Sequence, residues 1–315
     1  MPLKTRFLTL ISGGMLLAAT AACGAGAAET EPVAAVEAGG KAKVVASFYP
    51  LQWLTEQVAG PDATVATLTA PGVEPHDLEL TPQQVAEIGG ATLTAYVKGL
   101  QPAVDEAVEQ NGAGKEFDAA AAVRTLPAKE EAAEGAEGHD HEHEISYDPH
   151  LWLDPSTFAG VATKLGERLA AADPAHAQAF KDRAAKTAAA LTALDQEFAK
   201  GLSTCSARSI VTAHEAFGYL ADRYQLKQVG LTLDPESEPS PARLAEVAKV
   251  AKAEKVTTIF TEALVSPKVA EVLAHEVGAK TAVLDPLESA PSSGDYLTAM
   301  RQNLSTLRTA LGCTA

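Results

Sequence analysis

Three histidines and one aspartate stand where a folded chain could gather them around a metal ion. His76 lies in Ala70-Pro-Gly-Val-Glu-Pro-His-Asp77 and His150 in Ser146-Tyr-Asp-Pro-His-Leu-Trp-Leu-Asp154, so both are presented from proline-stiffened loops. His214 follows the apolar run Ser209-Ile-Val-Thr-Ala213, and Asp285 follows Thr281-Ala-Val-Leu284. In open α/β sheets ligands bind just beyond the carboxyl ends of the strands. Three neutral imidazoles and a carboxylate suit tetrahedral Zn2+, and four protein ligands leave no open position. A single histidine is a weak signal, and His176 and His275 read as surface or satisfied core residues. The combination of four, two from each half of the chain, is what points to a metal. Glu74 and Glu262, the latter just after Thr258-Ile-Phe-Thr261, could each accept from the far N–H of an imidazole or be solvated loop carboxylates. Glu215 reads as a cap for the helix after His214, and Trp152 and Phe217 read as packing around the site.

A zinc hydrolase would need an open coordination position with a base beside it. No H-E-x-x-H occurs, because His214-Glu215 and His275-Glu276 lack a second histidine at the right spacing. No G-x-S-x-G and no phosphate-binding glycine loop appears either. The chain therefore reads as a binding protein rather than an enzyme. Residues 128–147 hold His139, His141 and His143 among seven acids with almost no apolar anchor, a composition that cannot bury a core. That loop is expected to offer only weak auxiliary metal sites.

The elements that must position these groups show as an alternation of strand-like and helix-like segments. Strands are expected at Lys43–Phe48, Thr64–Leu68, Thr92–Val97, Arg208–Thr212, Lys227–Leu231, Thr257–Phe260 and Thr281–Leu284. Helices are expected after Thr81-Pro82, at Pro102–Glu109, after Asp154-Pro155, and at Ala216–Tyr224, Pro241–Ala253, Pro267–Val277 and Tyr296–Leu311. Such alternation implies mainly parallel sheets covered on both faces. Ala175–Lys200 runs without Gly or Pro, which would make a rod of about 39 Å and reads as a stiff connector between two α/β units. The divisions expected are a signal peptide (1–22), a flexible tether (23–42), an N-terminal lobe (43–172), a linking helix (173–201) and a C-terminal lobe (202–315).

Compartment is read from the first residues. Lys4 and Arg6 precede the apolar stretch Phe7–Ala19, and Leu17-Ala-Ala-Thr-Ala-Ala-Cys23-Gly24 resembles a bacterial lipoprotein processing site, with Thr20 where Leu is usual. Cys23 would then be acylated; the other reading is ordinary cleavage near Ala22 or Ala27 and a freely secreted protein. Cys205 and Cys313 are an even pair for an oxidising compartment, hence expected to be bridged, the alternative being two inert buried thiols. The chain has 315 residues, 41 acidic against 25 basic, for a formal charge of -16. That balance repels nucleic acid and anionic headgroups and attracts cations.

Four segments, Gly72–Pro82, Asp148–Pro155, Thr212–Tyr219 and Leu284–Leu287, resemble in order the signatures of the solute-binding proteins of zinc and manganese ABC importers. With the strand pattern, the resemblance covers about residues 43–312. It implies an α/β fold of two (β/α) lobes with mainly parallel sheets joined by one long rigid helix, the ion sitting between the lobes. By motif position, His76, His150 and His214 would be ligands, with Asp285 the fourth or a weaker substitute for water. Manganese-preferring relatives tend to carry a carboxylate where this chain has His214, and the acidic His loop resembles that of the zinc members. The resemblance thus implies a monomer that captures Zn2+ outside the cell, is tied to the outer face of the membrane by its lipid alone, and delivers its ion to an ABC permease and its ATPase. A manganese-binding member of the family, or a metal-binding adhesin or chaperone, is the alternative. Leu80 replaces a Pro often seen after the Glu of the first motif, a change expected to leave the site untouched. Cys23→Ser is expected to release the protein from the membrane fraction; unchanged partitioning into detergent would contradict the lipid anchor.

Overall fold

In the computed structural model, which describes residues 40–128 and 146–314, the alternation resolves into two parallel sheets. Cys23, the signal region, most of the tether and His139, His141 and His143 lie outside the described residues. The first lobe runs β1 (Ala42–Ala46), α1 (Tyr49–Ala59), β2 (Ala63–Thr67), α2 (Pro82–Gly90), β3 (Leu93–Tyr96), α3 (Pro102–Asn111) and β4 (Glu116–Asp118). Two long helices follow, α4 (Pro155–Ala172) and α5 (Ala177–Leu202). The second lobe runs β5 (Ser209–His214), α6 (Gly218–Tyr224), β6 (Lys227–Thr232), α7 (Pro241–Ala253), β7 (Thr258–Thr261), α8 (Lys268–Val277), β8 (Lys280–Val283) and α9 (Tyr296–Ala310).

The sheets share one winding, β2-β1-β3-β4 and β6-β5-β7-β8, with every pairing parallel. In each, the chain leaves the first strand to one side and later returns to the other. A crevice therefore opens beyond the carboxyl ends of β1 and β3, and of β5 and β7.

Local chemistry explains most of the helix starts. Thr81 caps α2 in a reciprocal box with Gln84, and Pro82 supplies a preset φ at the first helical position. Asp154 caps α4 through Ser156 N–H, Ser240 caps α7 through Arg243 N–H, and Asp295 caps α9 through Thr298 N–H. Two elements escape the sequence reading. In α1, Tyr49-Pro50 reads as a break, yet proline at the start of a helix promotes it. Strand β4 has three residues and too little pattern to register.

The helix α5 does more than connect. Its buried residues Phe180, Ala184, Thr187, Leu191, Leu194 and Phe198 recur every three or four positions, which makes one apolar stripe. That stripe enters a single cluster holding Val44, Leu54 and Leu165 from the first lobe and Ile210, Met300 and Leu307 from the second. The outer face of each sheet has its own smaller cluster, around Val45, Ile88 and Val104 in one lobe and Val211, Val247 and Leu273 in the other. The alternation Val44/Val45 and Ile210/Val211 is the period-two signature of strands buried on both faces. Gly166 lets α4 and α5 cross closely, since a Cβ there would stand 2.4 Å from that of Ala184. Polar ties pin α5 to both lobes. Arg183 donates to the Val58 and Ala59 carbonyls and to Asp62, while Asp195 accepts both arms of Arg223 on α6.

Cys205 and Cys313 are joined by a disulfide that fastens the end of α9 beside the end of α5. Cys205→Ser is expected to lower stability by about 2–4 kcal/mol, read as a fall in Tm relative to the oxidised parent. An equal Tm for parent and variant would mean that the bridge does not constrain the chain.

Candidate metal centre

Two segments repeat one pattern, acid-Pro-His: Glu74-Pro75-His76 and Asp148-Pro149-His150. In each, the acid two residues back accepts the histidine's backbone N–H, at 2.9 Å from both Glu74 Oε2 and Asp148 Oδ1. The shorter Asp148 also reaches the ring, with its Oδ1 2.7 Å from His150 Nδ1. Glu74, one methylene longer, holds only the backbone, and its Oε1 is buried without a hydrogen bond. His214 is the last residue of β5, at the strand end facing the crevice. Glu262, just past the adjacent β7, accepts from His214 N at 3.0 Å and lies 2.7 Å from His214 Nδ1. Carboxylates at the Nδ1 side of His150 and His214 keep the N–H there and aim the Nε2 lone pair inward.

The fourth group differs from the expected one: the structure puts Glu288, not Asp285, with the imidazoles. One donor atom from each of His76, His150, His214 and Glu288 lies within 4.8 Å of every other. Glu288 Oε1 is 3.2 Å from His76 Nε2, 3.7 Å from His150 Nε2 and 3.9 Å from His214 Nε2, and the last two nitrogens are 3.4 Å apart. Four donors about 2.0–2.1 Å from one zinc ion would stand about 3.3 Å from each other, and these four separations, 3.2–3.9 Å, are near that spacing. Asp285 is taken up in building the turn. Its Oδ1 accepts from Leu287 N at 2.8 Å, and Asn303 bonds both its N–H and its carbonyl. Leu287 then takes a left-handed φ of 59°, and the chain turns Glu288 back into the centre. A leucine in that conformation is strained, a condition that persists where the surroundings enforce it.

Other expectations sort themselves by position. Glu262 holds an imidazole, and Glu74 holds the loop rather than a ring. Glu215 does not cap α6; it accepts from Gly230 N–H at 3.0 Å on β6. Trp152 and Phe217 are fully buried packing, and Trp152 also donates from Nε1 to the Pro286 carbonyl at 2.7 Å, tying the Glu288 turn to the first lobe. His176 bonds Asp173 and His275 is exposed, both away from the centre. Leu80 packs against the outer cluster of the first lobe, clear of the site. Asp148 and Glu288 are the two functional groups the sequence reading missed. The repeated acid-Pro-His could have revealed Asp148; nothing local marks Glu288.

The electrostatics follow from burial. The Glu288 side chain is 2% exposed, and burial alone would raise its pKa, but the His76 hydrogen bond and the charges of His76, His214 and His150 bring it down to about 2. Burial alone would lower the pKa of His214, yet its bond to Glu262 and the charges of Glu262, Glu288 and Glu74 carry it up to about 9. For His150 burial prevails over Asp148 and the pKa falls. Glu74 is pushed up to about 7 by burial. Without a cation, then, protons on imidazoles balance the buried carboxylate, and a divalent ion must displace them.

The two consequences have opposite signs. A histidine raised from 6.5 to about 9 on folding stabilises the metal-free protein below pH 6.5, and that contribution is lost as pH rises through about 9. Over the same window zinc affinity rises, because fewer protons compete. Thermal melts from pH 6.5 to 9 should show the metal-free Tm falling while the zinc-induced increment grows, and calorimetry at pH 7 should register proton release on binding. A zinc increment independent of pH would contradict the exchange.

Comparison with known proteins agrees with this picture. Residues 44–310 match the model of the family described as ZnuA, zinc-uptake complex component A periplasmic. The zinc-binding lipoprotein AdcA of Streptococcus pneumoniae is 36% identical over 286 residues, covering 86% of this chain and 56% of that protein. The chain thus spans about half the length of that and similar curated relatives. Among solved structures, a mutant of the laminin-binding adhesin Lmb from Streptococcus agalactiae superposes with a TM-score of 0.76 at 32% identity, covering 86% of this chain and 100% of the other. The Zn(II)-bound ZnuA-like domain of Streptococcus pneumoniae AdcA superposes with a TM-score of 0.71 at 34% identity, covering 86% and 99%. Two parallel-sheet lobes, three imidazoles converging between them and a match over most of the length make the conclusion plain: the chain belongs to the ZnuA family of zinc-uptake solute-binding proteins.

Proposed function

We propose that this chain captures Zn2+ between its lobes and delivers it to an ABC permease driven by its ATPase. The observation that carries this is the group of His76, His150, His214 and Glu288, all but His76 buried, with two imidazoles pinned from behind by carboxylates. Three nitrogens and one oxygen match zinc far better than manganese, which prefers oxygen donors and stands lower in the divalent stability order. Four protein donors fill a tetrahedron, which suits holding an ion rather than activating a water. The donors come in pairs from the two lobes, so a single ion bridges the lobes while it is held. Attachment through an acylated Cys23 would hold the protein on the outer face of the membrane, and it would act there as a monomer. Among the described residues no helix is long and apolar enough to cross a membrane. The histidines of 128–147 would add weak sites ahead of the main one.

The likeness to a laminin-binding adhesin supports a second reading, in which the same folded body also serves in surface attachment. That role would leave the metal site unchanged.

The assignment of the fourth ligand is decided by two variants. Glu288→Gln is expected to weaken zinc binding at least a hundredfold and to remove most of the zinc-induced Tm increase. Asp285→Asn, which alters a turn and touches neither a donor nor a group behind one, is expected to cost less than about tenfold, below the roughly 10- to 100-fold scale of partners that hold a ligand directly. The reverse order in competition titrations, or displacement of zinc by equimolar manganese, would refute the proposal.

A further inference from the structure

Gly218 begins α6, and its φ lies outside the left-handed region that calls for glycine. Alanine is ordinarily preferred to glycine in a helix, so the backbone gives no reason for this residue. Its surroundings do. A Cβ at Gly218 would stand 2.2 Å from Asp148 Oδ2 and 3.4 Å from its Cγ.

An oxygen at the end of a side chain can usually swing aside, but this one is held. The other oxygen of the same carboxylate accepts from His150 N at 2.9 Å and lies 2.7 Å from His150 Nδ1. The Asp148 side chain is only 13% exposed, and its backbone N–H donates to the Leu126 carbonyl at 2.9 Å. The neighbouring residue on α6 makes the complementary tie, with the Tyr219 hydroxyl accepting from Leu126 N at 3.0 Å. The start of α6 therefore rests on the two backbone stretches that meet at Leu126 and Asp148. Asp148 can yield to a Cβ only by giving up its hold on His150.

We propose that Gly218 is a positioning residue of the metal site: the absence of a side chain lets the second lobe close onto Asp148, and that contact fixes the carboxylate that aims His150. The inference rests on the zinc reading above. It adds that ligand geometry in the first lobe is set in part by a residue of the second that touches no metal.

The test is a double-mutant cycle on the full chain, with Zn2+ for affinity and Co2+ as a spectroscopic probe of coordination geometry. Gly218→Ala is expected to weaken zinc binding 10- to 100-fold, the usual effect of disturbing a partner behind a ligand, and to change the visible cobalt spectrum. Asp148→Ala should weaken binding to a similar degree. The double variant should bind no worse than Asp148→Ala alone, because the new methyl then has nothing to displace. Wild-type affinity and an unchanged cobalt spectrum in Gly218→Ala would overturn the inference. So would a double variant showing the full sum of both losses, which would mean that the methyl acts through the fold and not through Asp148. Failure of the parent protein to bind zinc would instead overturn the proposed function, so the two failures are distinguishable.

Discussion

A carboxylate taken almost wholly out of water must find positive charge nearby or be protonated. Glu288 finds it in three imidazoles, the charge partners the structure gives it. Two of those imidazoles, His150 and His214, are themselves buried, which disfavours their charged forms, so they in turn need carboxylates behind them. Asp148 and Glu262 answer that need, and the same bonds fix which nitrogen faces inward. The centre is thus a small lattice of alternating charge in a low-dielectric setting. A divalent cation completes it without leaving any member unpaired, while protons complete it only in part.

This requirement shapes both lobes. The acid and the histidine it supports lie either two residues apart across a proline or on neighbouring strand ends, so each pair is drawn from a single lobe. What remains for tertiary structure is to bring the pairs to one point. Trp152 bridges to the carbonyl beside the Glu288 turn, and Gly72 N–H on the His76 loop donates to Ser289 Oγ at 2.7 Å. Both bonds run from the first lobe to the segment that carries the fourth donor. The placing of Glu288 therefore depends on contacts more than a hundred residues distant in sequence.

That distance explains what could be read in advance. His76, His150 and His214 were legible because each is flagged by a proline or by the end of an apolar run, and the strand-like segments located seven of the eight strands among the described residues. Glu262 was legible as an acid just past a strand. Glu288 was not, because the carboxylate that fits the strand-end rule is Asp285, and the sequence gives no sign that Leu287 will adopt a left-handed turn. The choice between two acids three positions apart is made by Asn303 on α9, which holds Asp285 in the turn. Helix α1 was lost for a simpler reason: proline has opposite meanings at the start and in the middle of a helix.

The apolar stripe of α5 has a mechanical corollary. Because one cluster spans both lobes along that helix, swinging them apart as independent bodies would tear a close-packed interior and expose it to water. Such a rotation is far costlier than shifting a half-exposed loop. The cheaper degree of freedom lies at the rim, where the His76 side chain is 16% exposed against 5% for His150 and 0% for His214. Ion exchange is then a sequence of unequal steps, with the outermost imidazole the first to let go and the two inner ones acting as the anchor. The rod sets the stiffness of the vessel, and its mouth sets the pace.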